Sequence, residues 1–161
     1  MRLVIAAVGR LKHGPDRDLA ERYRERIAKA GPAMGFPQVE VIEVGESRAR
    51  EAERRKTEEG IALVQLVPDA AARIVLDERG NDLTSTAFSQ KLQGWRDQGR
   101  PAAAFLIGGP DGVAQSLRQE ADLRLAFGTA TWPHQLARIM LLEQLYRAVT
   151  ILAGHPYHRG G

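Results

Sequence analysis

Four histidines and no cysteine bound the side-chain chemistry open to this chain. His13 lies in a basic stretch near the start and His134 follows Pro133, while His155 and His158 share the segment HPYHR with Tyr157 and Arg159. A His-x-x-His pair has metal-ligand spacing, but the sequence places no acid or third ligand beside it, so no metal is expected. Pro156 stiffens the segment, and a tyrosine, two imidazoles and a guanidinium can stack on a base and contact phosphate. Glu143 and Arg147 stand four apart, glutamate first, the spacing of a helix-stabilising ion pair worth about 0.3 kcal/mol. Arg138 is a candidate cation for a phosphate or a developing oxyanion.

The second kind of chemistry is backbone chemistry. Ala102 to Gly112 reads AAAFLIGGPDG, an unbroken apolar run closed by three glycines, a proline and an aspartate. Such a run predicts a strand covered on both faces, as in a parallel sheet, with its loop at the carboxyl end where α/β folds keep ligand crevices. Asp77 to Asp82 after Leu76, and Gly128 to Trp132 after Phe127, predict two more loops of the same kind. Along one rim the three loops would offer backbone groups and apolar walls, with no lysine. That suits an adenine-bearing ligand without phosphates.

The elements that must position these loops follow from periodicity. Leu3 to Val8, Val39 to Val44, Arg73 to Leu76, the central run and Leu123 to Phe127 predict five strands. Val39 to Val44 alternates apolar and acidic residues, as an edge strand with one wet face does. Between the strands lie a helix capped by Asp16 and stopped at Gly31, and a charged one opening at Ser47 and passing through Gly60 to Val67. A third helix, capped by Thr84, carries Phe88, Leu92 and Trp95 on one face, and a short one runs from about Val113 to Ala121. Gln135 to Leu152 predicts a last helix, apolar nearly all round, which implies burial on more than one side and hence a homodimer packed through it. Five strand–helix alternations without repeat or linker predict one α/β domain over residues 1–161, a mainly parallel sheet with helices on both faces.

Composition narrows the function. At 161 residues, 43% hydrophobic and 27% charged, the chain has the profile of an ordinary soluble domain, and it contains no apolar run long enough to cross a membrane. Met1 to Val8 reads as a first strand rather than a signal peptide. The absence of cysteine excludes disulfides and thiolate catalysis and fits a reducing cytoplasm. A formal charge of +3 and a pI of about 9.6 permit a nucleic-acid partner without demonstrating one. No P-loop, dinucleotide fingerprint or nucleophile elbow is present, which argues against ATPases, dehydrogenases and α/β-hydrolases.

FLIGGPDG, TWPHQLAR, EQLYRA and HPYHR closely resemble the small SPOUT-class methyltransferases of the RlmH, or YbeA, family, and VIAAVGRLK and VLDERG extend the likeness over nearly the whole chain. The resemblance implies an α/β fold with a C-terminal trefoil knot, a cytoplasmic homodimer, and S-adenosylmethionine as co-substrate. The activity it implies is methylation of N3 of a pseudouridine in 23S ribosomal RNA within assembled ribosomes. It places the cofactor on Leu76, Gly108, Phe127, Gly128, Thr129, Ala130, Thr131 and Trp132. Catalysis falls to His155, Tyr157 and His158, with the general base left open among them, and the RNA to Arg138 and Arg159. Rival expectations are a ribosome-associated factor that holds the cofactor without transferring methyl, and a tRNA acceptor.

Overall fold

A computed structural model describes residues 1–160. Five strands form one sheet in the order β2-β1-β4-β3-β5: β1 Arg2–Val8, β2 Val39–Val44, β3 Ala72–Asp82, β4 Ala102–Ile107 and β5 Leu123–Ala126. Every neighbouring pair is parallel, so each connection is a crossover; four helices supply them, α1 Pro15–Ala30, α2 Ala52–Gln65, α3 Ser85–Asp97 and α4 Gln115–Glu120, and a fifth, α5 His134–Leu152, follows β5. The two-residue period of β1 explains the layering. Leu3, Ile5 and Ala7 face a core shared with α1, α3 and α5, whereas Val4, Ala6 and Val8 face a second core shared with α2 and α4. β4 is buried at all six positions, as a strand roofed on both sides must be.

Several boundaries differ from expectation. Asp16 does not cap α1: Pro15 occupies the first turn, where its missing N–H costs nothing, and Gly14 takes the cap position with φ 143°. α2 begins at Ala52 rather than Ser47, because residues 45–51 are drawn away as a loop, and Gly60 does not interrupt it. The segment Asp77 to Asp82 is not a free loop after β3. Leu125 of β5 pairs with both Leu76 and Asn81, so residues 77–80 bulge out of a strand that then resumes pairing. Gly80 permits the bulge, since a Cβ there would lie 2.7 Å from the backbone carbonyl of Arg124.

α5 also corrects the argument from its composition. Eight of its residues, Ile139, Leu141, Leu142, Leu145, Ala148 and Val149 among them, are buried within this one chain against α1, α3 and the sheet. Much of its apolar surface is thus covered within one chain, while Leu136 stays 42% exposed and Met140, Ile151 and Leu152 are only partly buried.

Candidate active site

The carboxyl ends of β3, β4 and β5 converge. A cleft of about 660 Å³, a size typical of small-molecule sites, is lined by Leu76 to Arg79 from the β3 bulge, Gly108 to Val113 from the glycine loop, and Phe127, Gly128, Ala130, Thr131 and Trp132 from the loop after β5. His134 and Ala137 of α5 close one end. All the residues expected to hold a cofactor meet at this cleft except Thr129, which is exposed and does not line it.

Each wall is held by identifiable bonds. In the glycine loop, Gly112 has φ 86° and its N–H donates to the Gly109 carbonyl at 2.9 Å, making a tight turn. A Cβ on Gly108 would sit 2.7 Å from the Gly112 carbonyl oxygen and 2.8 Å from Val113, so the turn closes only around glycine. From outside, Arg55 of α2 donates two hydrogen bonds to Asp111, at 2.7 and 3.0 Å, and holds that carboxyl below its usual range through the same contact. Asp82 accepts from the Gly128 N–H at 2.8 Å, and the Thr131 hydroxyl donates to Glu78 at 2.9 Å, lashing the last loop to the bulge. The Trp132 indole N–H donates to the Phe127 carbonyl, so this half-exposed ring is fixed at the mouth.

The charge of the walls differs from expectation. Lys56 enters the lining from α2, against the reading of a rim without lysine, and Arg79 and Arg118 join it. Three acids, Asp77, Glu78 and Asp111, balance them, with Lys56 paired to Glu53 and Arg118 lying 3.4 Å from Asp77. A wall of balanced charge, rich in backbone groups and bordered by Leu76, Ile107 and Phe127, matches an adenosine derivative of low net charge that carries both signs better than a polyphosphate. It fits S-adenosylmethionine.

Arg138 is not on the rim. It is 2% exposed, donates to Glu43 at 2.5 Å and to the Gly9 carbonyl at 3.0 Å, and so cannot present its charge to RNA in this arrangement. Its helical position put it near the cleft, but its side chain runs inward between α1 and β2. Burial alone would raise the Glu43 carboxyl, but hydrogen bonds from Arg138 and from the Leu11 N–H outweigh it, and the net displacement is downward.

The tail residues gather elsewhere. Tyr157 packs edge-on against Tyr146 at 4.7 Å, its hydroxyl donates to Glu143 at 3.1 Å, and the Arg147 guanidinium lies 4.8 Å over its ring. Arg147 also reaches Glu143 at 2.5 Å and contacts His158 Nδ1 at 3.3 Å. The Glu143–Arg147 pair therefore does more than brace the helix: it is the clasp that folds the tail back onto α5. His155 accepts from the Tyr157 N–H at 3.1 Å, and Arg159 is exposed. This cluster sits on the C-terminal half of α5, whereas the cleft touches that helix at His134 and Ala137. At about 1.5 Å of rise per residue the two are on the order of 10–20 Å apart along the axis. One chain brings the three loops together, but does not bring its own tail over them. The roles of Arg147 and Glu143 in holding that tail could have been read from i to i+4 spacing only together with the fold. Burial, with hydrogen bonds to Tyr23 and Glu143, pushes the Tyr157 phenol up to about 12.

No group of three or more metal-ligating side chains occurs among the described residues. No helix among them is long and apolar enough to cross a membrane.

Comparison with known proteins places this architecture. Residues 1–158 match the family described as "Predicted SPOUT methyltransferase". A protein of Rhodopseudomonas palustris (strain BisA53) named "Ribosomal RNA large subunit methyltransferase H" is 58% identical over 159 residues, covering 99% of both chains. Proteins of the same name are 56% identical in Nitrobacter winogradskyi, over 99% of this chain and 100% of that one, and 55% identical in Bradyrhizobium diazoefficiens, over 99% of both. With a match that spans almost every residue of the fold just described, the chain belongs to the SPOUT methyltransferase family.

Proposed function

We propose that this protein transfers the methyl group of S-adenosylmethionine to large-subunit ribosomal RNA, at N3 of a pseudouridine, and that it does so as a cytoplasmic homodimer on the assembled ribosome. The single observation that carries the reading is the meeting of Leu76, Gly108 and the segment from Phe127 to Trp132 around one charge-balanced cleft. The name borne by its relatives supports the choice of acceptor.

When bound, S-adenosylmethionine supplies an electrophilic methyl group. The chain's own contribution is to bind and orient: Gly108 and its turn admit the ligand against the backbone, Leu76 and Phe127 provide apolar walls, and the Glu78–Thr131 and Asp82–Gly128 bonds fix the loops before binding. The acceptor nitrogen is an imide and must lose a proton, which a nearby imidazole can accept or a nearby cation can favour. His155, His158 and Arg159 are the candidates. Tyr157, whose phenol is a firm donor to Glu143, is better placed to stack and to hold the tail than to take a proton.

The distance between cleft and tail supports a homodimer in which each cleft is closed by the other subunit's tail. The C-terminal trefoil knot implied by the family is part of the same reading, and the strand order is compatible with it. Incubation of the protein with radiolabelled S-adenosylmethionine and ribosomes from a strain lacking the activity, followed by mass spectrometry of the nucleosides, tests the proposal. Label in N3-methylpseudouridine is expected. Cofactor binding without label in any ribosomal particle overturns it in favour of a non-catalytic ribosome factor, and label confined to tRNA overturns the choice of acceptor.

A further inference from the structure

We infer that the loops following β1 and β2 form a second, cofactor-independent docking surface for the RNA phosphodiester backbone, adjoining the mouth of the cleft. The inference rests on the reading of RNA as substrate and goes beyond it, because the residues that carry it, Arg10, Lys12, Arg48 and Arg50, line neither the cleft nor the tail cluster.

The loops are joined into one surface. The Gly9 N–H donates to the Val44 carbonyl and the Leu11 N–H to Glu43, tying residues 9–13 to the end of β2. A Cβ on Gly9 would lie 3.8 Å from Glu46 and 3.9 Å from His134, so this loop abuts both residues 45–51 and the end of the cleft. Residues 45–51 are fixed in turn by Ser47 N–H to Glu59 at 3.0 Å and by Arg55, which donates to the carbonyls of Ala49 and Arg50 while gripping Asp111 of the glycine loop. A continuous band therefore runs from Arg10 across the ends of β1 and β2 to the glycine loop.

Its charge is distinctive. Residues 9–13 and 45–56 contain seven Lys or Arg against three Glu, and even with Glu58 and Asp111, which pair with Arg54 and Arg55 from outside these segments, the band keeps a formal +2 of the chain's +3. Arg10, Lys12, Arg48 and Arg50 are exposed, and no carboxylate among the described residues lies within ion-pair distance of them. The band's other three cations are already paired, Arg54 with Glu58, Arg55 with Asp111 and Lys56 with Glu53, which leaves Arg10, Lys12, Arg48 and Arg50 to meet a ligand. Unpaired, water-facing cations concentrated on one edge of an otherwise neutral molecule are the footprint of a polyanion, bound through counterion release and without base recognition. An acidic protein surface would be met equally well by charge alone, but a substrate strand entering the neighbouring cleft must pass this edge.

The test uses the full-length protein with ribosomes and with protein-free large-subunit RNA. Arg48→Ser/Arg50→Ser and, separately, Lys12→Ser are expected to raise the KM for ribosomes about five- to tenfold. Turnover at saturation and affinity for S-adenosylmethionine should stay at wild-type values. On both substrates the dependence of log affinity on log salt should become shallower by roughly 0.7–0.9 for each phosphate that the variant no longer neutralises. All three positions are exposed and their side chains hold nothing in the fold, and unchanged thermal melting checks this. Wild-type KM and salt dependence in the double variant overturn the inference, as does a defect seen with ribosomes but not with protein-free RNA, which would assign the band to an acidic protein. Should the wild-type protein transfer no methyl while the variants still lose salt-dependent binding, the catalytic reading fails and the docking surface stands.

Discussion

Arg138 and Glu43, 95 residues apart in sequence, meet at 2.5 Å and join the last helix to the edge strand. Because the guanidinium is almost wholly buried, removing it leaves Glu43 without its partner. Arg138→Ala is expected to lower stability by about 3 kcal/mol in urea unfolding at pH 7. The Glu43 carboxyl is held below the ordinary glutamate value in the folded state, so its contribution is fully present above that value and disappears as pH falls through the folded one. Wild-type stability should therefore drop from roughly pH 5 downward more steeply than that of Arg138→Ala. Parallel curves would refute the assignment.

Gly108→Ala places a methyl group against backbone atoms at 2.7 Å that have no room to retreat. The turn must open, and affinity for S-adenosylmethionine measured by calorimetry should fall at least about tenfold, while the circular dichroism spectrum is retained. Alanine at Gly99, which has φ 78° but no atom within 4 Å of its Cβ, is the control: it strains the backbone by about 1 kcal/mol and should leave cofactor binding unchanged.

Loss of the tail should separate binding from transfer. A chain lacking Gly154 to Gly161 is expected to bind S-adenosylmethionine normally and to methylate nothing. Mixing it with Gly108→Ala under conditions of subunit exchange should restore activity, since the hybrid pairs one sound cleft with one sound tail from the other subunit. No recovery in a verified hybrid dimer would mean that each chain serves its own cleft.

With its phenol pushed up to about 12, Tyr157 stays protonated throughout the working range. Tyr157→Phe should lower turnover by loosening the tail, yet its pH–rate profile should parallel that of the wild type from pH 6 to about 10. A basic limb that vanishes in the variant would show the tyrosine titrating in the reaction.

Much of this fold was legible because its signals are local. The apolar run of β4 with its glycines, the Thr84 cap and the Phe88, Leu92 and Trp95 stripe each announce their own structure. The convergence of three loops was likewise readable, since the carboxyl ends of parallel strands share one rim. What escaped was tertiary. Asp77 to Asp82 has the composition of a loop, and only the renewed pairing of Asn81 with Leu125 makes it strand. Arg138 lies at the correct height on α5 for a rim residue, but helical position does not reveal that Glu43 draws it inward. Lys56 reaches the cleft from the charged first half of a helix whose role was read only from the apolar second half. The resemblance of the C-terminal motifs supplied what periodicity could not, and the family match upholds it.

The two outer strands of the sheet have a consequence for solubility. β5 is only four residues long, and β2 carries Glu40 and Glu43 among its valines, so neither flank presents a long apolar ribbon on which another molecule could continue the hydrogen-bond ladder. The chain is thereby protected from polymerising with itself, and the same glutamates that anchor Arg2 and Arg138 serve as its guard against fibrils.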